Sequence, residues 1–431
     1  MRDFLPEDVR RRQYVIGVIA DVYQKYAFEP LETPAVENLE TLQGKYGEEG
    51  DRLIFKILKR GEGAETGQAD LALRYDVTVP LARVVAEYRA KLPKFFKRYQ
   101  IQPVWRADRP QKGRFREFFQ CDVDAIGSTS MTVEAEILAA AADVLQKLGF
   151  NDFKIVVNHR KLLNAVLNAA GIPAELHGAA LVAMDKVDKI GVDGVKKEFA
   201  ERGLAPDAAD KLAKTLGTIH GVAALDGLSL NEEGQQAIRE LKELFALSAH
   251  TSAGPHLELD AYLARGLSYY TGPIFEIRVA DLAGSLGGGG RYDDLIGMFS
   301  GEKIPATGIS LGLERILVVM AERNMFPASV VSTPADVMVV QWFANRTDLY
   351  LAFATELRNA GLRVELYPES PAEDGKKVGD KQFKYASARG IPFVAVIGGD
   401  ELANGTVAIK NMKTGEQKSV PRADVVKWLN S

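Results

Sequence analysis

The chain has 431 residues, 46% of them hydrophobic, which is too long for one core and points to two to four domains. Its 54 basic and 58 acidic side chains leave a formal charge of −4, so there is no global nucleic-acid signature and any RNA contact must come from local patches. A single cysteine, Cys121, excludes an internal disulfide and argues for a reducing compartment. No apolar run approaches the ~18 residues of a membrane span, and Met1–Asp21 is charged throughout, unlike a signal peptide. The expectation is a cytoplasmic multidomain protein without a membrane segment. His159, His177, His220, His250 and His256 form no ligand pattern with Cys121, so no metal-binding residues are expected.

In chain order, apolar spacing at Val15, Ile16, Ile19, Val22 and Tyr23 predicts an amphipathic helix over Glu7–Tyr26. Glu29–Pro34 cannot be helical and reads as an extended edge. Leu71–Pro80 reads as a strand with Arg74, Asp76 and Thr78 on one face. An inward carboxylate needs a partner; Arg74, Arg83 or a cationic ligand would each serve. Phe95–Gly127 reads as a strand, a basic loop broken by Pro110 and Gly113, and a returning strand. Alternation on the second arm sends Phe118, Gln120, Asp122 and Asp124 to one face, a poor core but a good ligand floor. From Lys91 to Arg116 there are nine Lys or Arg and one acidic residue, Asp108. Arg106 at the rim could grip a phosphate through two parallel N–H bonds; a solvated basic hairpin is the plainer alternative.

Ser128–Leu148 predicts an Ala-rich helix, Lys154–Asn158 a short strand and Arg160–Ala170 another helix. Pro173–Ser252 carries amphipathic helical patterns with few strand signals and reads as a helical insertion. Leu263–Ile277 places Tyr269 and Tyr270 before a Thr-Gly-Pro turn, flat faces with polar tips that suit a small aromatic ligand. Four consecutive glycines, Gly287–Gly290, then precede Arg291-Tyr292-Asp293; they permit close backbone approach or mark a hairpin turn. Small residues in Ala306–Leu317 lead into a helix bearing Glu314 and Arg315. Pro334–Ser431 alternates strands and helices, with Lys377, Lys381 and Lys384 on one helical face.

Six of these stretches carry a resemblance. WRAD…GRFREFFQCDVD (Trp105–Asp124) looks like the second signature of class II aminoacyl-tRNA synthetases in the form carried by histidyl-tRNA synthetases, and RDFLP with FEPLETPAVE resembles the first, dimer-forming one. RGLSYYTG and GGGGRYDD resemble the two histidine-specific signatures, and GISLGLER the third class II signature. The Pro334–Ser431 segment resembles the anticodon-binding domain of that group. The resemblance implies an α+β fold, with a class II antiparallel-sheet catalytic domain over 1–172 and 253–326 and a helical insertion over 173–252. An α/β anticodon-binding domain would follow over 334–431.

It further implies ATP-dependent activation of L-histidine and transfer to tRNA(His) by a homodimer, with magnesium accompanying ATP. Arg106 and Arg265 would be the catalytic cations. Asp76 and Thr78 would receive the amino group, with Gln120, Asp124, Tyr269, Tyr270 and Tyr292 completing the histidine pocket. Arg106, Arg114, Phe118, Arg265 and Arg315 would hold ATP, Arg315 and Phe118 on either side of the base. Ser268 stands where the family usually has an acidic residue. A rival reading is the histidine-binding regulatory subunit of ATP phosphoribosyltransferase, which shares the core but typically lacks the last domain.

Overall fold

Period-two alternation along Phe96–Trp105 and Glu117–Ile126 produces two long antiparallel strands joined through the basic loop. In this computed structural model, which describes every residue except 110–112, 185–186, 266–268, 332, 372–377 and 431, these strands lie within an eight-stranded sheet. Across that sheet the strands run Glu29–Pro30, Phe96–Trp105, Glu117–Ile126, Ala306–Gly312, Ser285–Arg291, Pro273–Arg278, Lys154–His159 and Leu257–Leu259. The two outermost pairings are parallel and the five between them antiparallel. Antiparallel sheets can cover one face and leave the other open, and this one does so. Its covered face carries the Pro6–Lys25 and Met131–Lys147 helices. Its other face lines a cavity.

The chain divides into two units, Met1–Phe326 and Pro327–Ser431. Within the first, the helices Ala174–Met184, Val187–Glu201 and Pro206–Gly217 follow Arg160–Ala170, whose N-terminus is capped by His159 and whose C-terminus ends at left-handed Gly171. The last helix of the 173–252 segment, Glu232–Ser248, packs on Met131–Lys147 and Arg160–Ala170, so this part of the segment forms one layer with the core. A small antiparallel sheet joins Val36–Asn38, Ala69–Leu73 and Lys56–Leu58.

The strand expected over Leu71–Pro80 is corrected. It ends at Leu73, and Thr78–Glu87 is a helix. The Asp76 carboxylate accepts the Val79 N–H at 3.0 Å, acting as a side-chain cap, and Pro80 falls in the first turn where no N–H is required. The four glycines are likewise no hairpin turn: they sit inside the Ser285–Arg291 strand, paired on both sides.

The second unit has a five-stranded sheet ordered Val364–Leu366, Val337–Val339, Phe393–Val396, Thr406–Asn411, Gln417–Pro421, parallel across its first three strands and antiparallel thereafter. Helices Thr347–Asn359 and Val378–Ala388 accompany it, as βα alternation predicts. Lys377, expected to share a face with Lys381 and Lys384, lies outside the described residues.

Candidate active site

Strand register decides which side chains meet. In the Glu117–Ile126 strand, Asp124 stands between Arg98 and Gly308, and Asp122 between Gln100 and Ser310. Gly308 must be glycine here, since a Cβ would come within 2.0 Å of the Asp124 Oδ1 atom. A second gap serves Arg265: a Cβ on Gly288 would lie 2.0 Å from its Nη1. The glycine run thus admits a guanidinium across the strand rather than a turn.

All the residues that the sequence nominated line one cavity of about 730 Å³: Asp76, Thr78, Gln120, Asp124, Tyr269, Tyr270 and Tyr292 together with Arg106, Arg114, Phe118, Arg265 and Arg315. Ser268 lies outside the described residues. The cavity has two electrical characters. Its floor is acidic and buried, with Asp76, Asp122 and Asp124 each no more than 2% exposed. Burial raises all three carboxyls above the ordinary range. Its other end is cationic. Arg106, Arg114, Arg265 and Arg315 all line it, with Glu276 opposing Arg265 at 3.8 Å. Burial, and then the like charge of Arg114, hold Arg315 below its usual value, while Glu276 partly offsets them.

Local contacts fix each group. Asp76 accepts the Tyr46 hydroxyl at 3.0 Å. Arg74 and Arg83, the cations that the sequence offered to Asp76, are engaged elsewhere, and it is the Arg106 charge that favours the ionised Asp76 carboxylate. Arg74 donates to the carbonyls of Thr33 and Pro103 and to Gln102, and Arg83 pairs with Glu37 and Glu87. The fully buried Arg98 pairs with Asp124 at 2.9 Å, and the Tyr292 hydroxyl donates to the same carboxylate. Gln120 donates to Ser310 at 3.2 Å. Arg106 donates to the Tyr75 carbonyl at 3.1 Å, lying 4.2 Å from the Tyr75 ring centroid and 5.1 Å from that of Phe118. The guanidinium over Phe118 is therefore that of Arg106; a Phe118–Arg315 sandwich would form around the base itself. Arg315 instead donates to the Ser285 carbonyl. Arg265 donates to the Phe275 carbonyl at 3.2 Å, and its guanidinium carbon lies 5.9 Å from the Tyr270 ring.

Four supporting residues escaped sequence reasoning: Tyr46, Arg98, Ser310 and Glu276. Ser310 sits inside a motif already singled out, GISLGLER, and strand alternation from Gly308 would have placed it facing the cavity. A buried ion pair between Arg12 and Glu314 at 2.7 Å ties the first helix to the last motif, and Glu314 also accepts the Phe119 N–H.

Chemically, the floor suits a small cation with an aromatic group, and the opposite end suits phosphates. Among the described residues, no group of three or more His, Cys, Asp or Glu side chains converges as a metal site. Of the other carboxylates lining the cavity, Glu314 is paired with Arg12, while Asp108 and Glu276 stand 3.9 and 3.8 Å from Arg114 and Arg265, so a divalent cation fits best as an ion carried in by the phosphates themselves.

Residues 1–316 match the family model described as histidyl-tRNA synthetase, and residues 336–431 that of an anticodon binding domain. A histidine–tRNA ligase of Flavobacterium johnsoniae is 44% identical, the match covering 99% of this chain and 97% of that protein. One from Gloeobacter violaceus is 42% identical over 98% and 95%. The crystal structure of histidyl-tRNA synthetase from Nostoc sp. PCC 7120 superposes with a TM-score of 0.82 at 32% identity, covering 100% of this chain and 97% of that one. The fold is also shared, at 23% identity and a TM-score of 0.73, by an ATP phosphoribosyltransferase regulatory subunit/histidyl-tRNA synthetase from Bacillus halodurans C, over 93% and 97% of the two chains. This chain belongs to the histidyl-tRNA synthetase family.

Proposed function

We propose that the protein is a class II histidine–tRNA ligase and that its bipolar cavity is where histidine meets ATP. The observation that carries this reading is the juxtaposition of the buried Asp76, Asp122 and Asp124 carboxylates with Arg106, Arg114, Arg265 and Arg315 in one cavity. A substrate pair with an ammonium group on one partner and a polyphosphate on the other matches both ends at once.

In the first step a histidine carboxylate oxygen attacks the α-phosphorus of ATP. The new P–O bond forms as the bond to pyrophosphate breaks, giving histidyl-adenylate and free pyrophosphate. Asp76 and Thr78 receive the α-ammonium group. Tyr269, Tyr270 and Tyr292 enclose the imidazole, with Gln120 and Asp124 fixing its orientation. Arg106 and Arg265 neutralise charge that develops on the α-phosphate; such prepositioned cations contribute on the order of 3–4 kcal/mol. Arg315, Arg114 and Phe118 hold the remaining phosphates and the base. Magnesium, carried by the phosphates, would bind near Glu276 and supply further charge neutralisation. In the second step a ribose hydroxyl of the tRNA terminal adenosine attacks the histidyl carbonyl, and AMP leaves. No side-chain nucleophile is required, because the adenylate is already activated.

Residues 334–431 would read the anticodon arm and 173–252 would approach the acceptor arm. The match of 336–431 to an anticodon binding domain favours the ligase over the regulatory-subunit reading. A homodimer is supported by the Glu29–Pro30 strand at the sheet edge and by exposed Val36, Leu58 and Leu71 on the small sheet. No single helix among the described residues is long and apolar enough to cross a membrane, consistent with a cytoplasmic role.

The test is charging of tRNA(His) with labelled histidine by the full chain and by a chain ending at Phe326. The full chain should charge the tRNA. The shortened one should retain histidine-dependent pyrophosphate exchange and lose most transfer. Equal loss of both activities would contradict the division of labour, and no charging by the full chain would contradict the function.

A further inference from the structure

One carboxylate on the cavity floor is left without a role by this account. Asp122 is 2% exposed, lines the cavity, and sits in register between Gln100 and Ser310, two residues before Asp124. Its Oδ2 atom accepts the Thr78 hydroxyl at 3.4 Å, while its Oδ1 atom is buried with no hydrogen-bond partner. Two neighbours share that condition: Asp76 Oδ2 and Gln120 Oε1 are also buried acceptors without a donor. The nearest buried cation, Arg98, is already engaged by Asp124 at 2.9 Å, by Gln100 and by the Val77 carbonyl.

A buried acceptor without a donor costs free energy, and a charged one costs more. Such oxygens lining one cavity are met by a ligand that brings several N–H groups, Gln120 Oε1 by a ring N–H and the Asp76 and Asp122 oxygens by an ammonium group. An ammonium group carries three.

We propose that Asp122 is a third acceptor for the substrate's α-ammonium group, completing with Asp76 and Thr78 a cage that selects for a free amine. This rests on the ligase reading above and adds a substrate-binding residue to it. The Thr78 hydroxyl, donating to Asp122, keeps its own lone pair for the ammonium group.

The electrostatic setting agrees. Burial and the Asp124 charge push the Asp122 carboxyl up to about 7; Arg98 and the neighbouring Ser310 hydroxyl oppose them, and Asp76 adds to the rise. The other titratable groups whose charge bears on it are Tyr270 and Tyr292, which line the cavity, Tyr23 of the first helix and the adjacent Cys121; burial holds all four above their usual range, so they stay neutral. Near neutral pH the carboxyl is therefore part-protonated in the free protein, and an arriving ammonium group favours its ionised form. Affinity for the amine should weaken as pH falls through 7.

The experiment uses the full-length enzyme and histidine-dependent ATP–pyrophosphate exchange, comparing wild type with Asp122→Asn. Three constants are read: the KM for L-histidine, inhibition by histamine, which keeps ammonium and ring, and inhibition by imidazolepropionate, which keeps ring and carboxylate but lacks the amine. The proposal expects histidine and histamine to weaken roughly ten- to a hundred-fold in the variant. Imidazolepropionate should be unaffected, and the rise in histidine KM between pH 8 and 6 should be smaller in the variant. Should Asp122→Asn fail to fold, Asp122→Ser removes the same charge in less volume and should show the same ratios. Equal weakening of all three compounds, or no change in any, overturns the role of Asp122 while leaving the ligase reading intact. Absence of histidine-dependent exchange in wild type overturns both.

Discussion

The two units treat charge in opposite ways. The first buries it. Arg98 with Asp124, Arg12 with Glu314 and Arg291 with Glu134 are ion pairs with side chains at most 8% exposed. The second keeps it outside: Arg363–Asp336, Lys381–Glu369 and Arg422–Glu356 are all at least one-third exposed, and no charged side chain is buried among its described residues. Burying an ion is expensive and rarely a net gain in stability. Where such a pair borders a cavity, as Asp124 and Glu314 do, it holds groups for a ligand, whereas exposed pairs contribute little to stability and leave a surface free to meet a polyanion.

The sharpest way to break this contrast is Arg98→Met. It strands Asp124 as an unpaired buried charge and should cost about 3–5 kcal/mol. Chemical denaturation would show the loss, and Asp124→Asn in the same chain should recover part of it. If the single variant is as stable as wild type, the pair is not what holds the floor.

Arg265→His comes next. The side chain is only part-buried, so the fold should survive. Histidine-dependent pyrophosphate exchange should fall about 10²–10³-fold, because the interaction lost is one made with developing charge. Unchanged exchange would remove Arg265 from the mechanism.

A smaller effect separates the units by pH. Burial holds Glu134 up at about 7, with Arg291 opposing. Its folded value thus exceeds the unfolded one, so the stability it contributes is full below the unfolded carboxylate range and is lost as pH rises through about 7. His159 has the opposite sign: burial lowers it, and its contribution disappears as pH falls below the unfolded histidine value. The readout is therefore the difference between proteins. Glu134→Gln should lose less melting temperature than wild type between pH 6 and 8, by about 2–4 °C. Parallel curves would contradict the assignment.

Smallest of all should be Arg363→Ala, in the exposed pair of the second unit. A change under about 1 kcal/mol is expected, with pyrophosphate exchange untouched. A large loss of stability would mean that the surface pairs matter as much as the buried ones.

The contrast also explains what could be read from sequence. The floor was legible because alternation in Glu117–Ile126 obeys a period of two and the residues facing inward are polar. The Asp76 segment was misread as a strand because β-branched residues at Val77, Thr78 and Val79 look extended. The cap that Asp76 gives to the Val79 N–H decided for a helix. Arg98 and Tyr46 were illegible for a different reason. Arg98 meets Asp124 only through the register of two strands joined by a long loop, and Tyr46 reaches Asp76 across thirty residues with no local pattern. Glycine in Ser285–Arg291 gave no sign of which side chain needed the space; only the fold shows that it is Arg265.

The joining of an acidic amine site to a cationic phosphate site in one cavity can be checked by amino-acid-dependent ATP–pyrophosphate exchange, run with each standard amino acid in turn. Exchange is expected with histidine alone. Exchange with another amino acid, or none while histidine still binds, would contradict it.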